Sequence, residues 1–89
     1  MPQVRIPTPL RPHAGGHDVV AAAGSTVGEV LANLGTDFPA LKERIFEGEE
    51  LRRFVNVYVN NEDIRYLDDL ASTVAENDEV SIIPAVAGG

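Results

Sequence analysis

The sequence predicts an α+β fold in which one mixed sheet packs on one main helix. Three observations lead to this prediction: a pair of strand patterns before residue 23, one amphipathic helix pattern after it, and alternating strand patterns beyond residue 53. A hairpin that leads into a helix, followed by strands that return to the same sheet, is a grasp-like arrangement. With 89 residues the chain has the length of one small domain. We expect residues 1–84 to form it and 85–89 to be a flexible tail.

The first strand is indicated by the alternation of apolar and polar residues that begins at Val4. Proline cannot donate a hydrogen bond to a sheet, so the prolines that follow indicate an edge strand or an irregular strand end: Pro7, Pro9 and Pro12. The glycine pair in residues 13–17 indicates a turn, and residues 18–22 then form the returning strand of a hairpin.

The main helix has the clearest local pattern in the chain. Thr26 is placed to cap its amino terminus, and Glu29, three residues later, completes a capping box. Four apolar residues fall on one helix face and predict its buried side: Val27, Val30, Leu31 and Leu34. Gly35 stands where a left-handed carboxy-terminal cap is expected. Pro39 indicates a second, short helix, with Leu41 and Ile45 facing inward, and residues 47–53 are expected to form a solvated loop.

The second half of the chain adds the remaining strands. Residues 54–60 form a clear strand pattern with the alternating valines on one face: Val55, Val57 and Val59. A turn at 60–63 and a short strand around 64–66 follow. Leu70 and Val74 are expected to close the core, and residues 79–84 form the final strand with Val80 and Ile82 inward and Ser81 and Ile83 outward.

Composition excludes several classes of function. Fourteen acidic against seven basic side chains give a net charge of −7, and such a surface repels both nucleic acid and anionic membranes. The absence of cysteine excludes disulfides, a thiol nucleophile and a thiolate metal site. No apolar stretch has the length of a membrane span and the first residues do not form a secretory signal, so we expect a cytoplasmic protein.

Residues with catalytic chemistry are present but not arranged as a site. The serines Ser25, Ser72 and Ser81 have no base at a recognisable spacing, and acidic pairs at predicted turns are typical of solvated positions. His13 and His17 flank a glycine turn, which does not align them as helical metal ligands would be aligned. We predict neither a self-contained catalytic site nor a metal site.

The informative feature is the carboxy-terminal pair Gly88-Gly89, which follows a short run of small residues after the last strand. Glycine has no Cβ, so such a tail can lie extended in a narrow channel close to a partner's walls. The terminal carboxylate of Gly89 would then be the reactive group. The sequence therefore predicts a partner enzyme that reaches this carboxylate, with the tail in its tunnel: Ala85, Val86, Ala87 and Gly88.

This tail, with the strand and turn before it, resembles the ubiquitin-like β-grasp sulfur carriers of the MoaD/ThiS type, and the resemblance extends over nearly the whole chain. Four segments are most similar to the branch that carries sulfur for cysteine biosynthesis: Ile6-Pro7-Thr8, Leu10-Arg11-Pro12-His13, Arg53-Phe54-Val55-Asn56 and Tyr58-Val59-Asn60. The resemblance implies a carrier and co-substrate, not an enzyme, that binds no cofactor of its own.

The resemblance also implies a reaction sequence. An E1-like enzyme consumes ATP to adenylate Gly89, and a sulfur donor displaces AMP to leave a thiocarboxylate. A pyridoxal-phosphate (PLP)-dependent cysteine synthase then accepts the sulfur, and a zinc-dependent peptidase releases cysteine. The absence of cysteine is consistent with sulfur carried on a carboxyl carbon.

A docking surface is predicted on the sheet face opposite the valine core. Large apolar side chains there serve no evident packing purpose, and arginines border them, so we expect a partner site formed by Phe54, Tyr58, Ile83, Arg53 and Arg65. Three alternatives stay open: a molybdopterin synthase small subunit, a ubiquitin-like modifier joined through Gly89 to lysines of targets, and an interaction module with an inert tail.

Overall fold

The computed structural model describes residues 1–84. In chain order its elements are β1 (Gln3–Arg5), a 3-10 helix (Thr8–Ala14), β2 (Val19–Ala21), α1 (Val27–Asp37), α2 (Pro39–Ile45), β3 (Phe46–Glu47), β4 (Glu50–Leu51), β5 (Val55–Val59), β6 (Glu62–Asp63), two 3-10 helices (Ile64–Tyr66 and Asp69–Ala71) and β7 (Glu79–Pro84). The main sheet has the order β2-β1-β7-β5-β6. Within residues 1–84, β1 and β7 are the only strands that pair in parallel, which makes the sheet mixed and confirms the predicted β-grasp arrangement.

The first strand is not at an edge of the sheet. β1 lies between β2 and β7, so the prediction of an edge strand was wrong. The alternative of an irregular end is what occurs, because the prolines lie beyond Arg5 in the loop and the 3-10 helix that follow. A missing N–H group there removes no hydrogen bond from the sheet. The hairpin itself is confirmed, with Val4 opposite Val20.

Helix α1 begins as the capping pattern predicts. The Thr26 hydroxyl accepts a hydrogen bond from the backbone N–H of Glu29 at 3.2 Å, while the Glu29 carboxylate accepts one from the N–H of Ser25 at 2.9 Å. The predicted apolar face of α1 is buried, but the prediction that Gly35 ends the helix was wrong. The helix continues to Asp37, and a Cβ on Gly35 would lie 2.8 Å from Cδ of Lys42. Gly35 therefore allows α2 to approach closely.

One loop prediction and one strand prediction also need correction. Residues 47–53 are not a plain loop, because β3 and β4 form a small antiparallel ribbon around Gly48, whose φ is +68°. The strand expected around residues 64–66 is a 3-10 helix, and the strand lies just before it at β6. The carboxylate of Asp63 accepts a hydrogen bond from the N–H of Arg65 at 2.9 Å, which favours a turn over an extended chain at this point.

The core lies between the sheet and the two helices. Its largest fully buried side chains come from both layers: Val4, Ile6, Val27, Val30, Leu31, Leu34, Leu41, Ile45, Val57, Ile64, Val80 and Ile82. Val55 and Val59 are also buried, as their alternation predicts. Between residues 1 and 84, the structure contains no helix with the length and apolar character that crossing a membrane requires.

Candidate functional site

Strand β7 carries the predicted reactive tail and is held on both sides. It pairs with β5 from Val80, opposite Val59, to Pro84, opposite Val55, and with β1 from Glu79 to Ser81. The predicted tunnel residues 85–88 and the reactive Gly89 lie outside the described residues. Pro84, the residue just before them, is still paired with Val55 of β5, so the end of this strand pair fixes where the tail starts.

The beginning of β7 is fixed by a side-chain network. Asn60 donates a hydrogen bond to the carboxylate of Asp78 at 2.8 Å and accepts one from the N–H of Glu79 at 2.9 Å. The other carboxylate oxygen of Asp78 accepts from the N–H of Ala75 at 2.7 Å. These bonds, the one from Ala75 foremost, lower the pKa of Asp78 below its ordinary value. They connect the β5–β6 turn to the first residue of β7.

Tyr58 and Ile83 lie in strands β5 and β7 as predicted, but Phe54 lies in the turn just before β5, so the prediction that the strand begins at Phe54 was wrong. Phe54 is 48% exposed and Ile83 is 46% exposed, whereas Tyr58 is half-buried. The register sets Ile83 opposite Asn56 and Tyr58 opposite Ser81 on the outer side of the sheet. We call Phe54, Tyr58 and Ile83 the outer patch. Its accessibility is observed, and its role in docking stays a prediction.

The two predicted arginines of the docking surface border one groove together with Asn56. Arg53 is exposed, but Arg65 already has a carboxylate partner. Its Nη2 lies 2.6 Å from Oδ2 of Asp63, and its Nε donates to the same carboxylate at 3.1 Å. Hydrogen bonds from the side chain and then the backbone of Arg65 lower the pKa of Asp63. Arg65 is thus held in place, while Arg53 is the freer of the two cations.

A second groove, which sequence reasoning missed, opens at the end of β7. We call it the tail-root groove, because the last described residue, Pro84, is part of its wall. Its lining comes from four separate parts of the chain: Leu10, Glu43, Arg44, Arg52, Phe54, Val55 and Pro84. No local spacing connects these segments, so only the assembled fold could bring them together. Phe54 belongs to both this groove and the outer patch.

The serines and histidines form no catalytic arrangement in residues 1–84. The hydroxyl of Ser72 accepts a hydrogen bond from the N–H of Asp68 at 2.9 Å, which is a structural role in the turn before Asp69–Ala71. His13 and His17 lie in and just after the first 3-10 helix. Across this described part of the chain, no three histidine or acidic side chains are grouped as metal ligands.

Comparisons of the sequence and of the structure with known proteins point to the same family. The protein-family model of the ThiS family matches residues 4–89. The sulfur carrier protein CysO of Mycobacterium tuberculosis is 47% identical over 97% of this chain and 96% of its own, and its crystal structure superposes with a TM-score of 0.88. A chain of the Amycolatopsis orientalis BexX/CysO complex is 44% identical, with full coverage of both chains and a TM-score of 0.93. Small archaeal modifier protein 3 of Haloferax volcanii is 38% identical over 73% of this chain and 71% of its own.

Proposed function

Because this chain belongs to the ThiS family, we propose that it is a sulfur carrier whose cargo is held on the carboxyl group of Gly89. The observation that carries the proposal is the 47% identity to a named sulfur carrier over almost the full length of both chains. The sequence Gly88-Gly89 after β7 supports it, because an unbranched, Cβ-free end can enter a narrow active site.

The proposed loading reaction has two steps. A carboxylate is a poor electrophile, so an E1-like enzyme first joins AMP to the Gly89 carboxylate, and pyrophosphate leaves the ATP. A sulfur donor then attacks the acyl carbon, the C–O bond to AMP breaks, and a thiocarboxylate remains on Gly89. This chain contributes the acyl group and the docking surfaces, and the partner contributes the catalytic groups.

The proposed destination of the sulfur is cysteine. Two proteins to which the chain is similar are named CysO, and on that basis the proposed acceptor of the sulfur is the substrate of a PLP-dependent cysteine synthase. The thiocarboxylate sulfur would add to that substrate, and an acyl shift from sulfur to nitrogen would leave cysteine joined to the Gly89 carbonyl through an amide bond. A zinc-dependent peptidase would then hydrolyse this bond, release cysteine and restore the free Gly89 carboxylate. The carrier acts as a co-substrate of all three partners and is no enzyme itself.

A second candidate function is conjugation to proteins. The 38% identity to small archaeal modifier protein 3 favours it, because a modifier requires the same activated carboxyl group. In that function an amine, instead of sulfur, would displace AMP and form an isopeptide bond. Isopeptide remnants of Gly89 on cellular proteins would support conjugation over sulfur transfer.

The loading step is tested by ATP–pyrophosphate exchange with the E1-like enzyme from the same organism. We expect exchange that depends on the carrier and saturates with it, because formation of the acyl adenylate is reversible. A variant that lacks Gly88 and Gly89 is the control and should support no exchange while it keeps the same unfolding curve. Exchange that proceeds equally well with the truncated chain would contradict the proposed role of Gly89.

A further inference from the structure

We propose that the tail-root groove binds a segment of the activating enzyme that presents a carboxylate beside an apolar side chain. The proposal deepens the function proposed above and rests on it. It assigns a recognition role to Arg44 and Arg52, which lie outside the outer patch and which the sequence pattern did not single out.

The groove lies at the start of the tail, close to any partner that binds the tail. Five residues follow Pro84, and even a fully extended chain of that length spans only about 17 Å. An active site that reaches the Gly89 carboxyl group must therefore lie within about 17 Å of the end of β7. The wall formed by Pro84, Phe54 and Leu10 lies within reach of the protein around the mouth of that site.

The apolar part of the groove fits an apolar side chain of the partner. Leu10 packs on the core but stays partly exposed, Phe54 is 48% exposed, and Pro84 is also partly exposed. These three side chains border one space with Val55. Covering them would remove apolar surface from water without any rearrangement of the fold.

The polar part of the groove fits a carboxylate. Two guanidinium groups and one carboxylate, that of Glu43, border the space. Arg52 is preorganised, because its Nε donates to the carbonyl of Glu43 at 3.0 Å and its Nη1 lies 3.9 Å from the carboxylate of Glu47. Arg44 is exposed and, within residues 1–84, makes no ion pair. Its planar fork of donors suits an incoming carboxylate.

The charge of the whole chain makes this site distinctive. With a net charge of −7, most of the surface repels a carboxylate, so a partner acid finds few favourable positions. A cationic groove directly at the start of the tail would place that acid in one position. Recognition of the groove would thus set the direction in which the tail enters the enzyme.

The test compares two charge reversals on the same helix. Arg44→Glu removes the proposed contact, whereas Lys42→Glu makes the same change in net charge two residues earlier. Lys42 is the matched control, because it faces α1 and borders a different groove with Gly28, Ala32 and Phe46. Both variants are assayed by ATP–pyrophosphate exchange at several carrier concentrations, and their thermal unfolding is compared with that of the wild type.

We expect Arg44→Glu to raise the KM for the carrier about tenfold or more with kcat within about twofold, and Lys42→Glu to raise it less than about threefold. Equal effects of both reversals would overturn the proposal, because they would reflect net charge alone. An unchanged KM for a folded Arg44→Glu variant would also overturn it. Absence of exchange with the wild-type carrier would instead contradict the proposed function on which this inference rests.

Discussion

Replacing Phe54 with alanine tests a residue that the outer patch and the tail-root groove share. An aromatic side chain buries roughly 150–250 Å² when it is fully covered, and Phe54 is 48% exposed, so about 100 Å² is left for a partner to cover. At about 25 cal/mol per Å² that surface corresponds to about 2.5 kcal/mol, close to a sixtyfold change in affinity. Since area is an upper bound for binding energy, we expect Phe54→Ala to lower kcat/KM for the carrier by about ten- to sixtyfold.

The assay is carrier-dependent ATP–pyrophosphate exchange, measured beside urea unfolding of the same proteins. Tyr66→Ala is the matched control, because Tyr66 is 84% exposed but lies outside the outer patch. We expect the control to keep kcat/KM within about twofold. The docking role would be refuted if Tyr66→Ala lost as much activity, or if the activity lost by Phe54→Ala were fully explained by unfolded protein.

Three further predictions concern the scaffold, each measured by urea unfolding. Thr26→Ala should lower the free energy of unfolding by about 1 kcal/mol through loss of the helix cap, and Thr26→Ser should restore most of it; an unchanged midpoint for the alanine variant would contradict the cap. Gly35→Ala should lower the free energy of unfolding by about 1–3 kcal/mol, because the new Cβ would meet Lys42. In most helices the same substitution raises the free energy of unfolding. A stabilised variant would therefore contradict the close contact between Gly35 and Lys42. Hydrogen bonds from Arg65 lower the pKa of Asp63 in the folded protein. As the pH falls, Asp63 is therefore protonated in the unfolded chain before it is protonated in the folded one. The contribution of Asp63 to the free energy of unfolding is therefore present above about pH 4 and lost below it. Asp63→Asn should make the free energy of unfolding fall less steeply as the pH is lowered through this range. Equal pH dependence of the wild type and the variant would contradict this.

Local patterns were sufficient for most of the fold. The capping residues Thr26 and Glu29 and the valines of β5 depend on neighbours within one turn or one strand, and the structure confirms them. Gly35 was misassigned because its role depends on a residue of another helix, Lys42, whose approach no spacing in the sequence reveals. The edge-strand prediction failed for a similar reason, since the position of β1 depends on its parallel pairing with β7, at the other end of the chain.

The candidate site, like the fold, was predictable only where local patterns decide the position of a residue. Strand periodicity placed Ile83 on an exposed face, because a period of two needs only one strand at a time, whereas Phe54 is exposed in the turn before β5. The pairing of Arg65 with Asp63 and the inclusion of Arg44 in the tail-root groove depend on side-chain positions that appear only after folding.

The most direct test of the central proposal is the intact mass of the purified carrier before and after incubation with ATP, a sulfide source and its E1-like enzyme. The proposal predicts a gain of about 16 Da, the difference between sulfur and oxygen, and no gain for a chain that lacks Gly89. A carrier that stays at its original mass, although the same enzyme loads another carrier, would contradict the sulfur-carrier function.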